Sequence, residues 1–194
     1  MESLSNLCGR ELHWRVDMGL SVPETDAIHY VLWDADVPVA TAQTIWQRSE
    51  FYDLIMECGE GTYQAHVDIS SPAGRPAVAW KVGQTASLAG FTFEEEGLIT
   101  VKGWIDTASG RRLAFEPTHE LSAEYVIFPP GGPRLISVAA AAGRYIGDTA
   151  GRLIISPDAA QDIELPALVV LGFALACEEV MLLHRDLKAR GALS

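Results

Sequence analysis

Lysine is scarce in this chain of 194 residues, occurring only as Lys81, Lys102 and Lys188. Lysine and arginine together number 14 against 26 acidic residues, for a formal charge of -12. A nucleic-acid binder needs a basic surface to track phosphates, so this balance argues against DNA and RNA as partners. Cysteine is equally rare. Cys8, Cys58 and Cys177 are too few and too far apart for a disulfide framework or a Cys-x-x-Cys metal knuckle, and an odd count fits a reducing compartment, so the expected location is cytoplasmic. Residues 1–10 lack the basic and apolar segments of a secretory signal, and none is expected. Phosphate-binding Gly-x-x-x-x-Gly-Lys, dinucleotide-binding Gly-x-Gly-x-x-Gly and nucleophile-elbow Gly-x-Ser-x-Gly motifs are all missing, which removes the common cofactor enzymes.

The chain does have short alternating segments. Candidate strands bounded by turn chemistry fall near 10–18 and 27–33, where apolar and polar residues alternate, and near 37–46, 51–58, 62–70, 77–82, 90–93, 98–105, 111–115, 121–128, 135–142 and 151–156. About a dozen strands at this spacing read as an all-β sandwich or barrel. Three turns share a signature: Ser71-Pro-Ala-Gly74-Arg75, Thr107-Ala-Ser-Gly110-Arg111 and Asp148-Thr-Ala-Gly151-Arg152. In each, the glycine is expected to take the positive φ that closes a hairpin, and the arginine to open the return strand. Asp34-Ala-Asp36 reads as a shorter turn of the same kind.

The character changes after Ser156. Asp162-Ile-Glu164-Leu-Pro166 is an acidic, proline-containing helix start, and Arg185, Lys188 and Arg190 followed by Gly191 form the matching end, so a helix is expected over about 163–188. Residues 165–177 are apolar on every face, which requires protein on all sides. This run is shorter than the roughly 18 to 20 residues that cross a bilayer, and extending it would bury Glu178 and Glu179 in hydrocarbon, so no stable membrane insertion is expected. Small barrels fill with their own side chains, whereas wider ones enclose a helix. The expected fold is therefore mainly β: one domain, residues 1–194, with strands over about 10–156 forming a closed antiparallel barrel of about twelve strands around a buried hydrophobic C-terminal α-helix. Gly172, Ala167, Ala174 and Ala176 would let the wall approach the helix axis.

Asp34-Ala-Asp36-Val-Pro-Val-Ala40-Thr41, Gly151-Arg-Leu-Ile-Ile-Ser156 and the run from Asp162 to Val180 resemble the tubby-like C-terminal superfamily, in particular its phospholipid-scramblase and LURP-one-related branch. The resemblance covers most of the chain in plan. It implies twelve antiparallel strands closed around a hydrophobic helix, and a non-enzymatic binding or regulatory role toward a lipid or protein partner. Two features depart from the family. Tubby proteins hold phosphoinositide headgroups on a basic patch, which three lysines do not supply. Scramblases carry a proline-rich leader and a cysteine cluster, where this chain has the lone Cys8.

Candidate chemistry is thin. Arg111-Arg112 is the only adjacent basic pair, and with Lys102 on the preceding strand it could meet a phosphate or carboxylate of a ligand; pairing with nearby carboxylates is the competing expectation. The five histidines are scattered, and Glu116-Pro-Thr-His119 contains a proline, so neither metal nor cofactor is expected. A second reading makes the chain a β-barrel enzyme or small-ligand carrier with a pocket beside the helix, using Glu178, Glu179 or His184 as acids and bases. Trp14, Trp33, Trp46, Trp80 and Trp104 lie on separate strands and are expected to fill the core.

Overall fold

Short alternating segments joined by glycine and aspartate turns favour pairing with chain neighbours. A computed structural model of the chain describes residues 1–17, 27–47, 51–68, 76–94, 102–119, 124–140 and 151–189; for residues 46, 47, 140 and 178–189 only the backbone is described. The strands are β1 (Glu11–Val16), β2 (Ala27–Asp34), β3 (Val37–Gln47), β4 (Phe51–Cys58), β5 (Gly61–Asp68) and β6 (Ala77–Lys81). They continue as β7 (Ala89–Phe93), β8 (Gly103–Thr107), β9 (Arg112–Pro117), β10 (Glu124–Phe128), β11 (Ile136–Ala140) and β12 (Gly151–Ile155). Each pairs antiparallel with its sequence neighbour, and β1 pairs with β12 from Glu11↔Ile154 to Trp14↔Gly151, so the barrel closes without a free edge. The expected dozen strands and the closed barrel are both present.

The helix α1 (Leu165–Ala189) also follows the sequence expectation. Residues 165–177 are buried throughout, and α1 packs against β4, β5, β6, β7, β10 and β11. Phe173 meets the β1 and β2 side of the wall, stacking on Trp14 at 4.3 Å and edge-on to Tyr30 at 5.3 Å. Thirteen buried helical residues rise about 20 Å. An eight-residue strand such as β4, tilted by about 40°, rises the same distance, so the apolar run is as long as the barrel is tall. The buried wall mixes small and bulky residues: β5 to β7 contribute Ala65, Ala77, Ala79 and Ala89 beside Tyr63, Val67 and Phe91, and β1, β9 and β10 contribute Trp14, Phe115 and Tyr125. Gly172 marks a close approach: a Cβ there would lie 3.1 Å from Ile127 Cδ1.

The turns β2–β3, β4–β5, β6–β7, β8–β9 and β10–β11 lie at one end of the barrel, here called proximal, where α1 begins. A short 3-10 turn, Leu4–Leu7, lies at the same end with Leu4 and Leu7 fully buried. The connections at the distal end fall outside the described residues, and with them the turns before Arg75 and Arg152. Gly110 takes φ +81, as its turn requires. Gly151 departs from the expectation. It is a β12 residue without positive φ, and what it supplies is space: a Cβ would come within 3.1 Å of the Trp14 Cβ.

The tryptophans are a second correction. Trp14 is a lumen residue, but Trp33, Trp80 and Trp104 are half-buried on the outside of the wall. Strand alternation is the reason, since Gly103 and Ile105 face the core and turn Trp104 outward, where Arg112 covers it at 5.0 Å. The side chain of Trp46 lies outside the described residues.

Candidate functional site

Arg111 sits where the β8–β9 turn meets the start of α1. Its Nη2 donates to Asp162 Oδ1 and Oδ2 at 2.8 and 2.7 Å and to Glu164 Oε2 at 2.7 Å. Glu164, with a side chain only 2% exposed, also accepts from Ser109 N at 2.7 Å and Ser109 Oγ at 2.9 Å. Its carbonyl accepts the Leu168 amide, the first bond of the helix. Burial alone would raise the Glu164 carboxyl, but the Arg111 guanidinium and the Ser109 and Thr107 donors outweigh it and hold it below the ordinary range. The cluster clamps the helix into the proximal mouth.

The three cations singled out from sequence do not converge. Asp106 pairs with Arg112 in register and Gly103 with Phe115, so Lys102 lies at the opposite end of the β8–β9 hairpin, about 15 Å away. There it approaches Glu116 at 3.5 Å, while Arg112 lies 3.8 Å from Asp106. Each is engaged with a carboxylate, as the competing expectation had it. Arg10 pairs with Asp34, and Arg152 with Glu124 at 2.7 Å. The Lys81 ammonium donates to the Glu60 carbonyl at 2.8 Å. The Glu60 carboxylate accepts from Ser3 Oγ at 2.6 Å and Ser5 N at 3.3 Å, fastening the N-terminal turn to the β4–β5 hairpin.

Among the described residues the lumen is filled by packed apolar side chains. Burial pushes the thiols of Cys58 and Cys177 up to about 12, so neither is a thiolate nucleophile near neutral pH. The Tyr52 hydroxyl donates to the Ala174 carbonyl of α1. Trp14 Nε1 and the Tyr125 hydroxyl are buried without hydrogen-bond partners among the described residues. Among the described residues no group of three or more His, Cys, Asp or Glu gathers as metal ligands, and no helix is long and apolar enough to cross a membrane. The side chains of Glu178, Glu179 and His184, on which the pocket reading rests, lie outside the described residues.

A hollow of about 250 Å³ lies on the outside of the wall, lined by Asp17, His29, Tyr30, Val31, Thr41, Ala42, Gln43, Ile55 and Glu57. Strand register arranges its outward side chains in two ranks. His29, Gln43 and Ile55 stand side by side across β2, β3 and β4, and Val31, Thr41 and Glu57 form the next rank. Asp17 extends the first rank, its amide donating to the His29 carbonyl at 2.8 Å. Beside the hollow, the register slips between Leu32 and Trp33, where β3 carries an extra residue. Such a bulge bends and twists a strand, which helps make an outer barrel wall concave. Sequence reading missed this site because alternation shows which residues face outward but not which stand opposite one another across a bulge.

Fold and site together define a class: a closed twelve-stranded antiparallel barrel, filled by its own helix, with a hollow of mixed polar and apolar lining on its outer wall. Comparison with family models, curated proteins and solved structures finds no match.

Proposed function

We propose that the chain is a non-enzymatic, tubby-like binding module that engages a protein partner through the outside of its barrel. The observation that carries this reading is the complete burial of residues 165–177 inside the wall. A lumen occupied by the chain's own helix leaves contact to the outer wall, rims and loops. The resemblance of the strand and helix motifs to the tubby-like superfamily supports the same reading. A protein is favoured over an anionic lipid surface because Arg10, Lys102, Arg111, Arg112 and Arg152 are each engaged with a carboxylate, in a chain of formal charge -12.

The test is native mass spectrometry of gently purified protein together with flotation on phosphoinositide-containing vesicles. The expected result is a second protein chain at fixed stoichiometry above the 21.0 kDa mass and no flotation. A lipid or metabolite held at fixed stoichiometry, or flotation that survives physiological salt, overturns the reading.

A further inference from the structure

The hollow over β2, β3 and β4 is too small for a cofactor, since such pockets run from about 300 to 1,000 Å³. It is large enough for one long side chain. Its lining is of two kinds. Val31 and Ile55 supply apolar surface, while Glu57 and Asp17 place carboxylates toward opposite ends, across strands β1 to β4. Three inter-strand steps and one two-residue step separate them by about 16 Å. Between them stand the Thr41 hydroxyl and the Gln43 amide, and neither these nor Glu57 has a side-chain hydrogen bond or ion pair among the described residues.

Lysine and arginine side chains have matching chemistry: an aliphatic stem that lies along apolar surface and a cationic head that needs carboxylate and hydroxyl acceptors. We propose that this hollow receives a lysine or arginine side chain presented by a partner protein. The stem lies over Val31 and Ile55, and the head donates to the Glu57 carboxylate with Thr41 or Gln43 as a further acceptor. The formal charge of -12 steers a basic partner to the wall. The inference rests on the binding-module reading above and names the chemistry of the partner at one site.

The test titrates the whole chain with a capped, lysine- and arginine-rich peptide at physiological salt and maps backbone amide shifts. The shifts should centre on Asp17, His29, Val31, Thr41, Gln43 and Glu57. Glu57→Gln should weaken the peptide about fivefold, the worth of one exposed ion pair. Thr41→Arg, which places the chain's own cation in the hollow, should weaken it further. The charge-matched Asp36→Asn, on an exposed proximal turn, should leave affinity within about twofold. Equal loss in all three variants, or shifts spread over every acidic face, would show attraction by net charge alone and overturn the proposal. Spermidine binding as tightly as the peptide overturns the protein source of the cation. A natural partner that stays bound to Thr41→Arg sinks the site but leaves the module reading, whereas recovery of no protein partner sinks the reading itself. The wild-type shift map needs no variant, so a Thr41→Arg chain that fails to fold leaves the proposal open to refutation.

Discussion

Glu164 joins two elements through one residue. Its backbone starts α1 while its carboxylate turns away from the helix to reach Ser109 and Arg111. Because folding lowers the pKa of this group, its contribution to stability is fully present above the ordinary glutamate value, about 4.3, and is lost as pH falls through the lower folded value. Glu60 and Glu124 shift in the same direction: hydrogen bonds from Ser3 and the Leu4 amide outweigh burial at Glu60, and Ser137 with Arg152 does so at Glu124. The urea midpoint is therefore expected to fall steeply below about pH 4. Glu164→Gln should lower stability at neutral pH by about 1–2 kcal/mol and flatten that acid slope. An unchanged slope would show that other carboxylates govern acid unfolding.

At the scale of the element, α1 is held by shape. Its run of 13 buried residues has no polar face, so register inside the barrel comes from small residues meeting large ones. Gly172 faces Ile127 and Val138, and a Cβ there sits 3.1 and 3.5 Å from their methyl groups. Gly172→Ala should be nearly neutral, because about 1 kcal/mol of helix propensity offsets a small shift of Ile127. Gly172→Val has no such room, and overpacking should cost about 2–3 kcal/mol, read as a lower urea midpoint with unchanged slope. A neutral valine would mean that α1 can slide or turn against β10 and β11.

The whole molecule is one closed circuit in which residues near 11–16 complete the wall against residues near 151–155. Neither wall nor helix is stable without the other, since an open barrel exposes its inner face and the helix has no polar side to turn to water. Thermal unfolding should therefore lose the near-UV signal of packed aromatics such as Trp14 and the far-UV signal of secondary structure in a single transition. Two separated transitions would show the helix leaving an intact wall. Closing β1 onto β12 spans most of the chain, so refolding should be slow for the size of the domain, in the millisecond-to-second range.

Period-two alternation, turn chemistry and an all-round apolar run determined the dozen strands, the C-terminal helix and its place inside the wall, because each is written in local order and in the need to bury a helix without a polar face. The turn glycine Gly110 and the close-packing Gly172 were legible for the same reason. Partner choice was not. Lys102 and Arg112 stand near one another in sequence yet face different carboxylates at opposite ends of a hairpin, and Arg111 meets Asp162 and Glu164 some fifty residues away. Trp104 turned outward and Trp14 inward by strand phase, and the two ranks over β2 to β4 exist only through pairing register and a bulge. Contacts between distant segments depend on register and closure, which no local pattern contains, so the fold was readable in the sequence and the site appeared only in the tertiary structure.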